Sequence, residues 1–184
     1  HNHGHVLSKV HLAGRAEMEA ACQSAVDAQK AWIGLGLEGR CEIFERCADL
    51  LAGDWRMKVN AATMLNQSKT VFQAEIDAAC ELIDFWRFNC HYARGFHDDF
   101  QPPISPSGIE NSTEIRPLEG FVLAITPFNF TSIAGNLPSA PTIVGCTSVW
   151  KPSRNSYHSN YVLMQLMIDA GLPPGVINFL PGSG

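Results

Sequence analysis

The chain lacks an excess of positive charge: 13 Lys and Arg stand against 18 Asp and Glu, a formal net charge of −5 over 184 residues. That balance excludes the basic footprint needed to hold nucleic acid or an anionic membrane surface. The charges are scattered, with no acidic tail or polybasic block. No apolar run is long enough to cross a bilayer and no signal-peptide pattern opens the chain, so a soluble protein is expected. No two of the six cysteines (22, 41, 47, 80, 90 and 146) have the two-residue spacing of a zinc knuckle or a dithiol redox motif. Five of them fall in helical patterns, where a thiol acts as a small buried hydrophobe, which points to a reducing compartment. Neither a G-x-G-x-x-G fingerprint nor a nucleophile elbow is present. Four histidines crowd the first eleven residues, but no Cys or acidic partner has metal-ligand spacing, so no metal is expected.

What is present is 46% hydrophobic residues, enough for one sizeable core. Residues 16–33 place Met18, Cys22, Ala25, Gln29 and Trp32 at helical spacing, and "EIFERCADLL" repeats the period. A third helix is expected over 55–66. A fourth starts at Thr70, where Thr70 and Gln73 form a capping box, and runs unbroken through "AEIDAACELIDFWRFN". The proline-rich "DDFQPPISPSGIENS" reads as an exposed connection. In "TEIRPLEGFVLAIT" two extended runs flank Glu119-Gly120 as a hairpin-like turn, with Pro117 marking the first as an edge strand.

From Phe121 the rhythm changes. "FVLAIT" is continuously apolar, the pattern of a strand covered on both faces. A helix bent or restarted by Pro138 and Pro141 follows, then the strand "TSVWK", a helix stopping at Gly171, and the strand "VINFL", expected to be central. This β-α-β-α-β order predicts an α/β fold: N-terminal helices followed by the first half of a Rossmann-like parallel sheet. Three segments are expected: 1–100, helical and packed on the sheet; 101–118, the connection and edge strand; and 119–184, the sheet unit.

Ligands bind beyond the carboxyl ends of such strands, here "TPFNF", "KPS" and "PGSG". An amide at the first of these, Asn129, suits donation to a developing oxyanion, or else caps the next helix. Lys151 suits a ribose or phosphate, or is a solvated loop lysine. Phe128 and Phe130 wall a pocket or belong to the core. Glu81, beside an apolar stripe, has a site role or lies at the margin in water.

Together, "ITPFNF", "KPS", "AGLPPGVINFLPGSG", "QAEIDAACELIDFWRFN" and "ENSTEIRPLEGFVLAITPFNFTSIAGNLPSAP" resemble the aldehyde dehydrogenase superfamily, most closely its 1-pyrroline-5-carboxylate dehydrogenase branch. The resemblance runs from "HVLSKVH" to the last residue. It implies oxidation of L-glutamate γ-semialdehyde to L-glutamate with NAD as cofactor, in the mitochondrial matrix, by a homo-oligomer. It implies that Asn129 stabilises the oxyanion. Ile125, Thr126, Pro127 and Phe128 lie along the cofactor, Lys151 and Ser153 hold its ribose, and Gly184 stands at its pyrophosphate side. Phe130 packs on the substrate's aliphatic chain and Glu81 faces its amino end. Arg154 replaces a ribose-binding glutamate of many members, and an arginine there accepts a 2′-phosphate, so NADP also fits.

In this family the nucleophile is a cysteine thiolate assisted by a glutamate base. None of the six cysteines lies in the matching motif, so these 184 residues are expected to be the inactive N-terminal part of an enzyme. The first residue is His rather than Met, which fits a processed chain or a fragment. The alternative is a truncated relative serving as a structural subunit. In either case the rest of the polypeptide or a partner subunit is expected to cover an apolar sheet edge.

Overall fold

A computed structural model describes residues 2, 4–99 and 104–183. The first part of the expected connection, 100–103, and Gly184 lie outside the described residues. Helices α1 (Arg15–Gly34), α2 (Gly36–Ala52), α3 (Arg56–Gln67), the single turn α4 (Val71–Ala74) and α5 (Glu81–Asp99) precede the sheet. Their apolar stripes build the core. On α2, Cys41, Phe44, Cys47, Ala48 and Leu51 are buried, and this face packs on α5. Trp32 meets Phe44 edge-on at 6.4 Å between ring centroids, and Phe44 meets Trp86 at 6.5 Å. Both indoles are buried and both find acceptors: Trp32 donates to the Thr142 carbonyl at 2.8 Å and Trp86 to Ser139 Oγ at 2.9 Å.

Strands β1 (Phe121–Ile125), β2 (Thr147–Lys151) and β3 (Ile177–Phe179) form one parallel sheet in the order β1-β2-β3. Phe121 pairs with Thr147 and Ile125 with Lys151; Ser148 pairs with Ile177 and Trp150 with Phe179. Helix α6 (Thr131–Ile143) links β1 to β2, and α7 (Tyr157–Asp169) links β2 to β3. The expected β-α-β-α-β order is therefore present, with every carboxyl strand end on one side.

Five details differ from expectation. The run before Gly120 is not a strand; it has no ladder partner, and Leu118 instead donates its N–H to the Val144 carbonyl at 2.9 Å. Pro117 has no N–H to offer a ladder. "VINFL" lies at one side of the three strands, with β2 central. β1 is covered on one face only: Phe121, Leu123 and Ile125 are 38%, 56% and 61% exposed, while Ala124 between them is buried. The prolines do not break α6. Side-chain hydroxyls bind back to its carbonyls, Ser139 to Gly135 at 2.8 Å and Thr142 to Pro138 at 2.7 Å. The fourth helix keeps its Thr70–Gln73 capping box but passes through a π turn, Glu75–Cys80, before α5.

Gly145 closes the turn between α6 and β2 with φ +118°, and a Cβ there would lie 2.6 Å from Pro117 Cβ. Gly145→Ala therefore adds both backbone strain and a clash with the 117–118 segment. Thermal unfolding followed by circular dichroism should show it less stable by about 2 kcal/mol or more.

Candidate functional site

The carboxyl end of β1 is anchored twice by β2. Thr126 donates its N–H to the Lys151 carbonyl at 3.1 Å, and its hydroxyl accepts from the buried Trp150 indole at 3.0 Å. From this fixed point the chain turns through Pro127–Phe130 into α6. Phe130 is the N-cap residue, and no side chain caps that helix end. Asn129 thus does not cap α6. Its side chain is exposed and hydrogen-bonds to none of the described residues.

Asn129 and Phe128 line a cavity of about 310 Å³ together with Asn66, Gln67, Ser68, Lys69 and Asn155. Asn155 belongs to the short 3-10 turn Arg154–Ser156 that follows Lys151 and Ser153. The "TPFNF" strand end and the turn that follows "KPS" therefore border one space, which Lys151 and Ser153 themselves do not line. Lys151 is half-buried at the end of β2, paired in register with Ile125. The Ser153 carbonyl accepts from the Ser156 N–H at 3.0 Å, which fixes this turn.

Phe130 is half-buried, and Lys69 Nζ sits 4.7 Å from its ring centroid. Lys69 is also ion-paired with Asp77, both side chains being largely buried. Glu81, the first residue of α5, accepts a hydrogen bond from the Ser132 hydroxyl in the first turn of α6. Its carboxylate therefore lies against the first turn of α6, the helix that Asn129 and Phe130 lead into. Below them, Thr63 and Thr131 share a hydroxyl contact of 2.9 Å, and Gln67 donates to both Thr131 and Ser159. Ser159 in turn bonds Asn66 through its N–H at 3.1 Å.

The structure brings Asn129 and Phe128 to one cavity, with Phe130 under Lys69 and Glu81 at the start of α6. Gly184 falls outside the described residues. Sequence reasoning missed Lys69, Asp77, Ser132 and the cluster of amides. "LNQSKT" signalled a helix start, but nothing in its spacing showed that this loop would meet a strand end sixty residues later. A mostly apolar groove of about 460 Å³ is lined by Leu37, Ala93 and Pro117 and by none of these groups.

Burial pushes the thiols of Cys47 and Cys146 upward, away from the thiolate form. Cys41 and Cys90 are buried, and Cys22 and Cys80 are half-buried. No cluster of metal-ligating residues occurs among the described residues, and no described helix is long and apolar enough to cross a membrane.

The model of the aldehyde dehydrogenase family matches residues 1–184. A delta-1-pyrroline-5-carboxylate dehydrogenase of Agaricus bisporus is 47% identical over 182 residues, 99% of this chain and 33% of the relative. The mitochondrial enzyme of that name from Homo sapiens is 46% identical over 183 residues, 100% of this chain and 32% of the relative. The crystal structure of the Mycobacterium tuberculosis enzyme bound with NAD is 55% identical with a TM-score of 0.91. The match covers 95% of this chain and 32% of that one. The chain spans about a third of the length of these relatives.

The π turn that leads into Glu81 is held by charge. Arg56 Nε donates to Glu75 Oε1 at 2.8 Å and Asn60 Nδ2 donates to Oε2 at 2.6 Å. The Arg56 hydrogen bond is the main reason the Glu75 carboxyl lies below its ordinary range. An unfolded glutamate takes up its proton near pH 4.3, before the folded one does. The resulting stabilisation is complete above about pH 5 and is lost as pH falls through the folded value. Urea midpoints measured from pH 7 to pH 3 should show wild type and Arg56→Met far apart at neutral pH and converging in acid. A constant gap would exclude this account.

Proposed function

Because this chain belongs to the aldehyde dehydrogenase family, we propose that it supplies the oxyanion-binding amide and the first half of the cofactor platform of an NAD-dependent dehydrogenase. The substrate is L-glutamate γ-semialdehyde and the product L-glutamate. The observation that carries this reading is Asn129: an amide free of protein partners among the described residues, at the carboxyl end of a parallel strand, opening on the cavity that Asn155 also lines. The likeness to pyrroline-5-carboxylate dehydrogenases over the whole chain supports the substrate.

Asn129 would donate to the oxygen of the reacting carbonyl as negative charge develops there, a task that requires a donor fixed before the reaction. The Trp150–Thr126 anchor supplies that fixity. Phe130, steadied by Lys69, would wall the aliphatic chain, and Glu81 would face the amino end. Bound NAD supplies the acceptor for the two electrons and hydrogen leaving the aldehyde carbon. The residues present fit it. Ile125, Thr126, Pro127 and Phe128 offer a rigid strand end, and the half-buried Lys151 has no side-chain partner among the described residues. Ser153 lies two residues further on, and Gly184 would adjoin the pyrophosphate.

The nucleophile and the base would come from outside these residues. Four of the six cysteines are buried, where a thiolate nucleophile is disfavoured, and the half-buried Cys22 and Cys80 do not line the cavity beside Asn129. Residues 1–100 would serve as a helical layer on the cofactor domain, 101–118 as part of an oligomerisation segment, and 119–184 as the opening of the NAD-binding unit. The mitochondrial names of several relatives support a matrix location, and a homo-oligomer or the remaining polypeptide would cover the open side of β1.

Peptide mapping and intact mass of the native polypeptide test whether further residues with a cysteine nucleophile accompany the chain. In that polypeptide, Asn129→Ala should lower kcat by about 10²–10³ with little change in KM, and NAD should shield Lys151 from acylation. An unchanged kcat would remove Asn129 from the proposed chemistry.

A further inference from the structure

Three acidic side chains follow one another along the π turn and the start of α5, and their partners differ. Glu75 is paired with Arg56, and Asp77 with Lys69. Glu81 is half-buried but makes no ion pair among the described residues. It accepts one hydrogen bond, from Ser132 to Oε2, which leaves Oε1 without a partner among those residues. Ser132 is fully buried in the first turn of α6. Glu81 therefore keeps one carboxylate oxygen free of protein partners among the described residues, with no protein cation beside it, and can receive a cation from elsewhere.

From this pattern we infer that Ser132 is a positioning residue for substrate specificity: it pins Glu81 so that the free oxygen receives an ammonium group, selecting aldehydes that carry an α-amino group. This rests on the semialdehyde reading above. An unpinned glutamate would sample several rotamers and surrender much of its interaction to ordering entropy. Pinned from α6, the carboxylate moves with the same helix start that carries Asn129 and Phe130. The acid on α5 and the amide in the turn before α6 are thereby tied to one helix start. Lys69 does not compete for Glu81, because its charge is committed to Asp77.

The test compares L-glutamate γ-semialdehyde with 5-oxopentanoate, the same aldehyde without the amino group, in the native polypeptide. The preference is the ratio of the two kcat/KM values. Ser132→Ala should reduce the preference about tenfold, the scale of losing one hydrogen bond to a charged acceptor, mainly through KM of the amino-bearing substrate. Ser132→Thr, which keeps a donor hydroxyl, should retain it. In a Glu81→Gln background the Ser132→Ala change should no longer alter the preference. Equal losses on both substrates, or an unchanged ratio, would overturn the inference and leave the function standing. If Ser132→Ala does not fold, loss of the preference in folded Ser132→Thr would overturn it equally. If wild type oxidises neither aldehyde, the functional reading fails. Calorimetry with L-glutamate against glutarate then decides the inference by whether Ser132→Ala abolishes the selectivity.

Discussion

Trp150 is fully buried in the central strand, and its indole N–H must find an acceptor there or cost the fold about 1–3 kcal/mol. It finds the Thr126 hydroxyl, and its ring packs edge-on against Phe179 at 5.1 Å. One side chain therefore ties the carboxyl ends of β1, β2 and β3 together. The turn that carries Phe128, Asn129 and Phe130 leaves from the residue it holds. Precision at the strand ends is in this sense a by-product of satisfying a buried donor in the core.

Helix α6 carries that order across the molecule. At its far end, the Thr142 and Ile143 carbonyls, which have no partners within the helix, accept from Trp32 and from Arg40. At its near end, Thr131 and Ser132 hand their hydroxyls to α3 and to α5. Side chains from other elements thus hold both ends of α6, beside the Gly145 and Cys146 N–H groups that close its last turn. Beneath the strand end, Gln67 joins these hydroxyls by donating to both Thr131 and Ser159.

Much of this was legible in the sequence because it depends on period and punctuation. Apolar stripes at three- and four-residue steps gave α1 and α2, Gly171 stopped α7, and alternating strand and helix gave the parallel sheet. The errors have one physical source: neighbours far away in sequence. Pro138 and Pro141 looked like breaks because neither can donate to the helix ladder, whereas the hydroxyls of Ser139, Thr142 and Ser148 that hold the Gly135 and Pro138 carbonyls were not visible. The run before Gly120 looked like a strand because its extended propensity was visible, whereas its docking on Val144 and Gly145 was not. "FVLAI" looked doubly buried because its composition is that of a buried strand. Its exposed alternate residues show that the composition suits a larger environment than the described residues provide.

The same limit explains why the candidate site was half seen. Asn129, Lys151 and Phe128 could be placed by rule, since ligands gather at the ends of parallel strands. Glu81 could only be noticed as an acid beside an apolar stripe. What distinguishes it from Glu75 and Asp77 is the distribution of cations in space. Arg56 and Lys69 come from two different segments, and each neutralises one acid of the π turn. An α-helical register through residues 75–80 would rotate these acids relative to their partners. The π turn therefore decides which carboxylates are paired with cations of the chain and which one is left to the Ser132 hydroxyl. Charge neutralised within the chain serves stability; charge left over, held by a buried serine, is available for recognition.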